Sequence, residues 1–208
     1  MKAYKTNLIL IFLLLGISPW AFSASAEMSS KHLRLVKDLM NNNLAYSQDA
    51  TTTNIIEWEE EIVDSLRQKK DYRNMFLMKQ MAVYAYSLQA KISEALKKAD
   101  AMMDEARLMK YNIGISLSYQ ALGDIYLNAG MRPEAVEEYE KAMKTLQATP
   151  HAEKIQERIF IQLVPTLIKL KRMDEAKAYL EHMSEICESK CLSPFLLYAY
   201  HAYYYLRN

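Results

Sequence analysis

The sequence predicts an all-α chain, a solenoid of antiparallel helix pairs with about nine helices. Three observations carry this. Leu, Ala, Glu, Lys and Met dominate while glycine and proline number only four and five, so the intrinsic preference is helical almost throughout. Apolar residues recur at helical spacing, and no strand-like alternation of any length appears. Small residues return at a long, nearly constant interval: Ala95, Ala135 and Ala176 lie 40 and 41 residues apart.

The chain has 208 residues, enough for one domain with a sizeable core. Its formal charge is +1, so no basic excess points to nucleic acid and no acidic tail points to disorder. The first element is a leader. Lys2 and Lys5 give a positive start, Leu8 to Ile17 is apolar, and Ala24-Ser25-Ala26 ends a small-residue stretch. That is the pattern of a secretory signal peptide over 1–26, with cleavage expected after Ala26. The apolar run is short of the roughly 20 residues that span a bilayer, and no later segment is apolar enough to do so. The mature chain is therefore expected in the periplasm or secreted, with no membrane span. Losing two lysines takes its charge from +1 to −1.

Residues 27–72 are expected to form an N-terminal helical pair. Leu33, Val36, Leu39 and Met40 make one stripe; Ile55, Ile56, Trp58, Ile62, Val63 and Leu66 make another. The polar stretch 41–54 between them reads as a loop, with Thr53 or Asn54 as the next cap. Helical repeats follow over 73–208, divided as 73–109, 113–149, 151–190 and an incomplete 193–208.

The stretch 119–143 carries the most specific pattern. Tyr119, Leu122, Gly123 and Tyr126 lie on its first helix and Ala135, Tyr139 and Ala142 on its second. Gly130 sits in the turn and is expected to end the first helix in the left-handed conformation. Pro133 stands at the start of the second helix, where its missing N–H costs nothing. Gly123 is expected to let the partner helix approach, with Ala135 as the matching small surface. These positions resemble the tetratricopeptide repeat, W-x2-L-G-x2-Y followed by A-x3-F, with Tyr for Trp. The pattern recurs more weakly. Upstream, Ala82, Val83 and Tyr86 precede Ala95, Ala99 and Met102; downstream, Phe160, Leu163, Val164 and Leu167 precede Ala176, Leu180 and Met183. The interval exceeds the usual 34 residues, which implies longer helices or longer linkers. Pro165, inside the first helix of the third pair, is expected to kink it.

The resemblance implies a right-handed solenoid whose first helices line a binding surface for a protein or peptide. The outward positions would be Gln80, Tyr84 and Ser87; Gln120, Asp124 and Asn128; and Ile161 and Lys169. This mixture of amide, aromatic and charged groups suits a peptide segment. With an exported start and repeats of about 40 residues, the chain also resembles the extracytoplasmic sensing regions that precede histidine kinases or helix-turn-helix regulators in some bacteria. That implies a part in signal transduction.

No nucleophile elbow, phosphate loop, dinucleotide fingerprint or HExxH pair occurs. His32, His151, His182 and His201 are scattered, and the carboxylates at 57–61 and 137–140 read as solvated faces near helix starts. No catalytic residue, cofactor or metal site is therefore expected. The alternative, an extracytoplasmic helical-toroid enzyme acting on glycans or lipids, would need convergent acids in a closed cavity. Cys187 and Cys191, four apart, read either as a local disulfide in an oxidising compartment or as two thiols at a helix end. The last stretch is rich in tyrosine. Leu197, Tyr198 and Tyr205 are expected to face the preceding pair, leaving Tyr200, Tyr203 and Tyr204 as an open patch. Either further repeats cover that patch or it mediates self-association.

Overall fold

A computed structural model describes residues 50–190, together with 201, 204 and 205. The expected leader, the stripe at 33–40, residues 41–49 of the expected loop and Cys191 lie outside the described residues; residues 50–54 of that loop are helical, because the first described helix begins at Ala50, so Thr53 and Asn54 lie inside a helix and do not cap it. Cys187 falls in a helix, but its side chain is not among those described, so the choice between disulfide and thiols lies outside them too.

Among the described residues the secondary structure is all α: seven helices and no strand. They are α1 (Ala50–Gln68), α2 (Tyr72–Leu88), α3 (Ile92–Leu108), α4 (Asn112–Asn128), α5 (Arg132–Leu146), α6 (Glu153–Lys169) and α7 (Met173–Lys190). Four successive helices begin at residues 72, 92, 112 and 132, a constant step of 20.

The turns explain this regularity. Lys70, Ala90, Lys110, Gly130 and Lys171 all have left-handed φ, at 56°, 57°, 51°, 80° and 60°. At each, that residue's N–H bonds to the carbonyl three residues back, and the next residue's N–H to the carbonyl five residues before it. The first of these bonds are Lys70 N–H to Arg67 O at 3.0 Å and Asp71 N–H to Leu66 O at 2.9 Å. This is the Schellman arrangement, which satisfies two carbonyls that a helix end leaves bare. The residue that closes it is also the N-cap of the next helix, as at Asp71, Lys91, Tyr111 and Met131. Three residues therefore suffice to reverse the chain. Gly130 adopts the expected left-handed conformation, but glycine is not required there. Lys and Ala hold the same backbone in the four sister turns, which periodicity in the apolar residues did not reveal. The link between α5 and α6 is longer, with His151 at φ 57°.

The helices stack as pairs. α2 packs on α3, α4 on α5 and α6 on α7, and each pair meets the next through α3 against α4 and α5 against α6. The first helices also meet one another, α2 against α4 and, more narrowly, α4 against α6. This is a solenoid of helix pairs. Its main core runs continuously from Ile55 and Ile62 in α1 to Leu180 and Met183 in α7. A smaller cluster of Val83, Ala95, Ala99, Ala121 and Ile125 fills the space between α2, α3 and α4. α6 continues through Pro165 to Lys169.

Two glycines sit at close helix contacts. A Cβ on Gly123 would lie 2.5 Å from Cε1 of Tyr139. The close approach expected at Gly123 is present, but its partner is the Tyr139 ring rather than Ala135. Ala135 is fully buried one turn earlier on α5. Gly114, which the repeat pattern does not single out, plays the same part near the start of α4. A Cβ there would lie 2.9 Å from Cβ of Ala106 and 3.0 Å from the Phe76 ring.

His201, Tyr204 and Tyr205 are helical, and their packing reverses the expectation for that end. Tyr204 is 5% exposed and belongs to the main core, whereas Tyr205 is 70% exposed. His201 Nε2 lies 3.2 Å from Ser184 Oγ of α7. Residues three apart share a helix face, so a face that brings His201 to α7 brings Tyr204 inward as well. Tyr204 is therefore not part of an open patch. Tyr200 and Tyr203 lie outside the described residues.

Candidate binding face

α4 is flanked by α2, α3 and α5, with α6 at its edge. It carries polar side chains inside this ring of neighbours: Ser116, Ser118, Gln120 and Asp124 are all buried. A polar group in such a place needs a partner. Ser116 Oγ donates to Ala142 O across the crossing with α5 at 3.0 Å, and Ser118 Oγ donates back to Gly114 O at 2.9 Å.

Asp124 is the centre of the arrangement. Gln80 Nε2 of α2 donates to its Oδ2 at 2.7 Å, and the Tyr139 hydroxyl of α5 donates to its Oδ1 at 2.7 Å. Arg158 of α6 reaches over and donates from Nη2 to Gln80 Oε1 at 3.3 Å. Four helices thus meet through one carboxylate. Burial pushes Asp124 up to about 6, against the opposing pull of the Tyr139 and Gln80 bonds and the Arg158 charge. Burial likewise raises Tyr139, reinforced by the charge on Asp124; Tyr84 rises for the same two reasons. Gln120 Oε1 and Arg158 Nε are buried without a protein hydrogen-bond partner. One turn on, Asn128 Nδ2 donates to Ser87 Oγ at 2.7 Å, and Ser87 Oγ donates to Tyr84 O at 2.9 Å.

The positions expected to line an open surface therefore divide. Gln80, Ser87, Gln120 and Asp124 are buried, where the sequence reading has them outward. Tyr84 and Ile161 are half-buried, and Asn128 and Lys169 are exposed. The physical reason is that side chains of α2 and α6 meet over α4 and cover part of its polar row. Arg158 bridges to Gln80, and Arg73 Nη1 donates to His151 O at 3.4 Å. Both bonds join α2 to the α6 side of the array. The structure brings Gln80 to Asp124 and Ser87 to Asn128, pairs on adjacent first helices. It adds two residues that the sequence reading did not place on this side, Arg158 and the hydroxyl end of Tyr139. Tyr139 carried a signal, since it stands at a repeat position on the second helix and a buried tyrosine hydroxyl needs an acceptor. For Arg158 no local signal existed.

The repeat positions are placed as follows. Gly123, Ala135, Tyr139 and Ala142 are buried, while Tyr119, Leu122 and Tyr126 are half-buried against the core. Among the described residues no group of three or more His, Cys, Asp or Glu could hold a metal ion, and no helix is long and apolar enough to cross a membrane.

No curated protein and no solved structure matches the chain. Residues 117–145 match the tetratricopeptide repeat family. That match contains Tyr119, Leu122, Gly123, Tyr126, Ala135, Tyr139 and Ala142 and falls within α4 and α5. The segment similar to the tetratricopeptide repeat is therefore the pair that carries both Asp124 and the close approach of Gly123 to Tyr139.

Proposed function

We propose that this chain is a non-enzymatic scaffold that binds a protein or peptide segment outside the cytoplasm, as the sensing part of a signalling protein. The observation that carries the reading is the alignment of α2, α4 and α6 on one side of a solenoid whose central pair matches the tetratricopeptide repeat. Such repeats generally mediate contacts between proteins, and stacked helix pairs offer one continuous surface. Tyr84, Asn128, Ile161 and Lys169 remain at least partly open to a partner. An aromatic ring, an amide, an aliphatic group and an ammonium suit a peptide segment. The positive, apolar and small-residue run of 1–26 supports export.

Photo-crosslinking in the native host tests the binding side. A photoreactive residue at Asn128 or Lys169 should capture a discrete partner, and one at the exposed Lys97 of α3 should not. Identical products from all three positions, or none from the first two, would refute this use of the first-helix side. Export is tested by N-terminal sequencing: the mature chain should begin at Glu27, and an intact Met1 in a cytoplasmic fraction would end that part of the proposal. Self-association through the C-terminal aromatic stretch is part of this reading; the buried Tyr204 takes no part in it, and the exposed Tyr205 is available to it. Sedimentation of the mature chain beside Tyr205→Lys should show concentration-dependent growth in the parent alone. A parent that stays monomeric removes this element.

A further inference from the structure

The links between helix pairs lie together at one edge of the array. Arg67 Nη1, in the last turn of α1, donates to Glu105 Oε1 of α3 at 2.5 Å. Asn112 Nδ2, at the start of α4, donates to Thr149 Oγ1 at 3.5 Å, and Arg73 Nη1, at the start of α2, donates to His151 O at 3.4 Å. The turns at 69–71 and 109–111 and the link at 147–152 therefore form one edge, built from the ends of α1, α3 and α5 and the starts of α2, α4 and α6.

That edge is cationic. Lys69, Lys70, Arg107, Lys110, Lys144 and Lys154 are all exposed there, and none of them forms an ion pair among the described residues. Of the nearby carboxylates, Asp71 is occupied in capping α2, Glu105 is held by Lys79 and Arg67, and Glu153 is half-buried. Asp64 and Asp104 are exposed about one turn back from the edge. The opposite edge is mixed. Lys91, Arg132 and Lys171 stand in its turns, but Glu94, Glu134, Asp174 and Glu175 occupy the first turns of the helices that begin there.

Leu108 stands on the cationic edge, in the last turn of α3 between Arg107 and Lys110. It is 85% exposed, more than any other large apolar side chain among the described residues. Cations at helix C-termini complement the helix dipole, and a lone exposed leucine is ordinary. Neither rule accounts for the two coinciding, with cations gathered from three separate links around the most exposed apolar side chain.

We propose that this edge docks on an anionic phospholipid surface, with the cations on lipid phosphates and Leu108 entering between the headgroups. Charges presented by three neighbouring links suit a broad, flat partner. An apolar tip among ammonium and guanidinium groups matches the boundary between charged headgroups and acyl chains. Each Lys or Arg brought to such a surface strengthens attachment roughly 5-fold. The attraction is local to the edge, because the expected mature chain carries a net charge of −1. Attachment is peripheral and uses the helix ends, so the side made by α2, α4 and α6 stays open. The proposal does not rest on the binding-side reading.

Sedimentation of the mature chain with vesicles at low salt tests it. The parent should bind vesicles of phosphatidylcholine and phosphatidylglycerol in equal parts, and should not bind phosphatidylcholine alone. Lys69→Glu, Lys70→Glu and Lys110→Glu together should weaken binding about 100-fold. Lys91→Glu, Arg132→Glu and Lys171→Glu, the same charge change in the turns of the opposite edge, should largely retain it. A second measurement reads Leu108 itself: the fluorescence of Leu108→Trp, corrected for that of the parent, should shift to the blue on the anionic vesicles. Equal binding to both vesicle types, binding to neither, equal losses from the two triple variants, or attachment without the blue shift overturns the proposal. So does a parent that binds polyglutamate but not vesicles, which would give the edge to an acidic protein. If the first triple variant fails to fold, the parent on the two vesicle types and the Leu108→Trp shift decide alone.

Discussion

Replacing Gly123 by alanine adds one methyl group where the protein has no room for it. A Cβ at that position lies 2.5 Å, 2.7 Å and 3.0 Å from Cε1, Cδ1 and Cζ of Tyr139. Comfortable carbon–carbon contact is about 3.5–4.0 Å, so the ring has to retreat by roughly 1 Å. Tyr139 is fully buried, and its hydroxyl is committed to Asp124 at 2.7 Å. Retreat therefore strains the packing and stretches the bond at the same time. Overpacking costs about 1–3 kcal/mol, and a hydrogen bond to a charged group contributes about 1.5–3 kcal/mol. Alanine recovers about 0.5–1 kcal/mol over glycine within a helix. The balance is a loss of about 2–4 kcal/mol, with the Asp124 bond partly kept. Urea unfolding of the mature chain, followed by helical circular dichroism, measures it. The companion experiment places Gly123→Ala in a Tyr139→Leu background, where no ring stands in the way and the substitution should be nearly neutral. The reasoning fails if Gly123→Ala unfolds with the parent, or if it costs as much in the Tyr139→Leu background as alone.

Three further perturbations follow from the same contacts. Tyr139→Phe leaves one oxygen of buried Asp124 without its donor and should cost about 1–3 kcal/mol at neutral pH. The cost should shrink as pH falls below about 6, where the carboxyl is neutral; chemical denaturation on both sides of that value would expose a pH-independent loss. Gly130→Ala meets nothing within 4 Å and adopts a backbone that Lys and Ala hold in the sister turns. Its cost should be only about 1 kcal/mol, and a much larger drop in the unfolding midpoint would contradict an open turn. At Glu105 burial raises the carboxyl, but the bonds and charges of Lys79 and Arg67 outweigh it and hold it below the usual range. A depressed carboxyl stabilises above its ordinary value and loses that contribution as pH falls through its folded value. Glu105→Gln should therefore cost about 0.5–1 kcal/mol at pH 7 and next to nothing in strong acid, with thermal melts at both conditions as the check.

Much of the architecture was legible because it is local. Helix propensity and apolar spacing act within a few residues, and they identify paired helices without knowledge of what lies beyond. Gly130 reads correctly as a left-handed helix end for the same reason. The four sister turns were silent because Lys70, Ala90, Lys110 and Lys171 carry no glycine. There the two Schellman hydrogen bonds offset the cost of the backbone, and those bonds leave no mark on composition. Gly123 was legible as a close approach, but not its partner, since a missing side chain says that something comes near and not what. Gly114 was passed over though it serves the same purpose against Ala106 and Phe76.

The binding side shows the limit most clearly. Spacing correctly places Gln120 and Asp124 on one face of α4, and polar residues at helical spacing ordinarily face water. Here that face is covered by Gln80 from the preceding pair and Arg158 from the following one. The sequence by itself determined the helices, their pairing and the residues that share each face, because these depend on short-range preference. Only the tertiary structure decided which of those faces is buried, that Asp124 joins four helices, and that Tyr204 rather than Tyr205 turns inward. Burial depends on elements far apart in the chain, and no window around a residue contains the neighbours that will cover it.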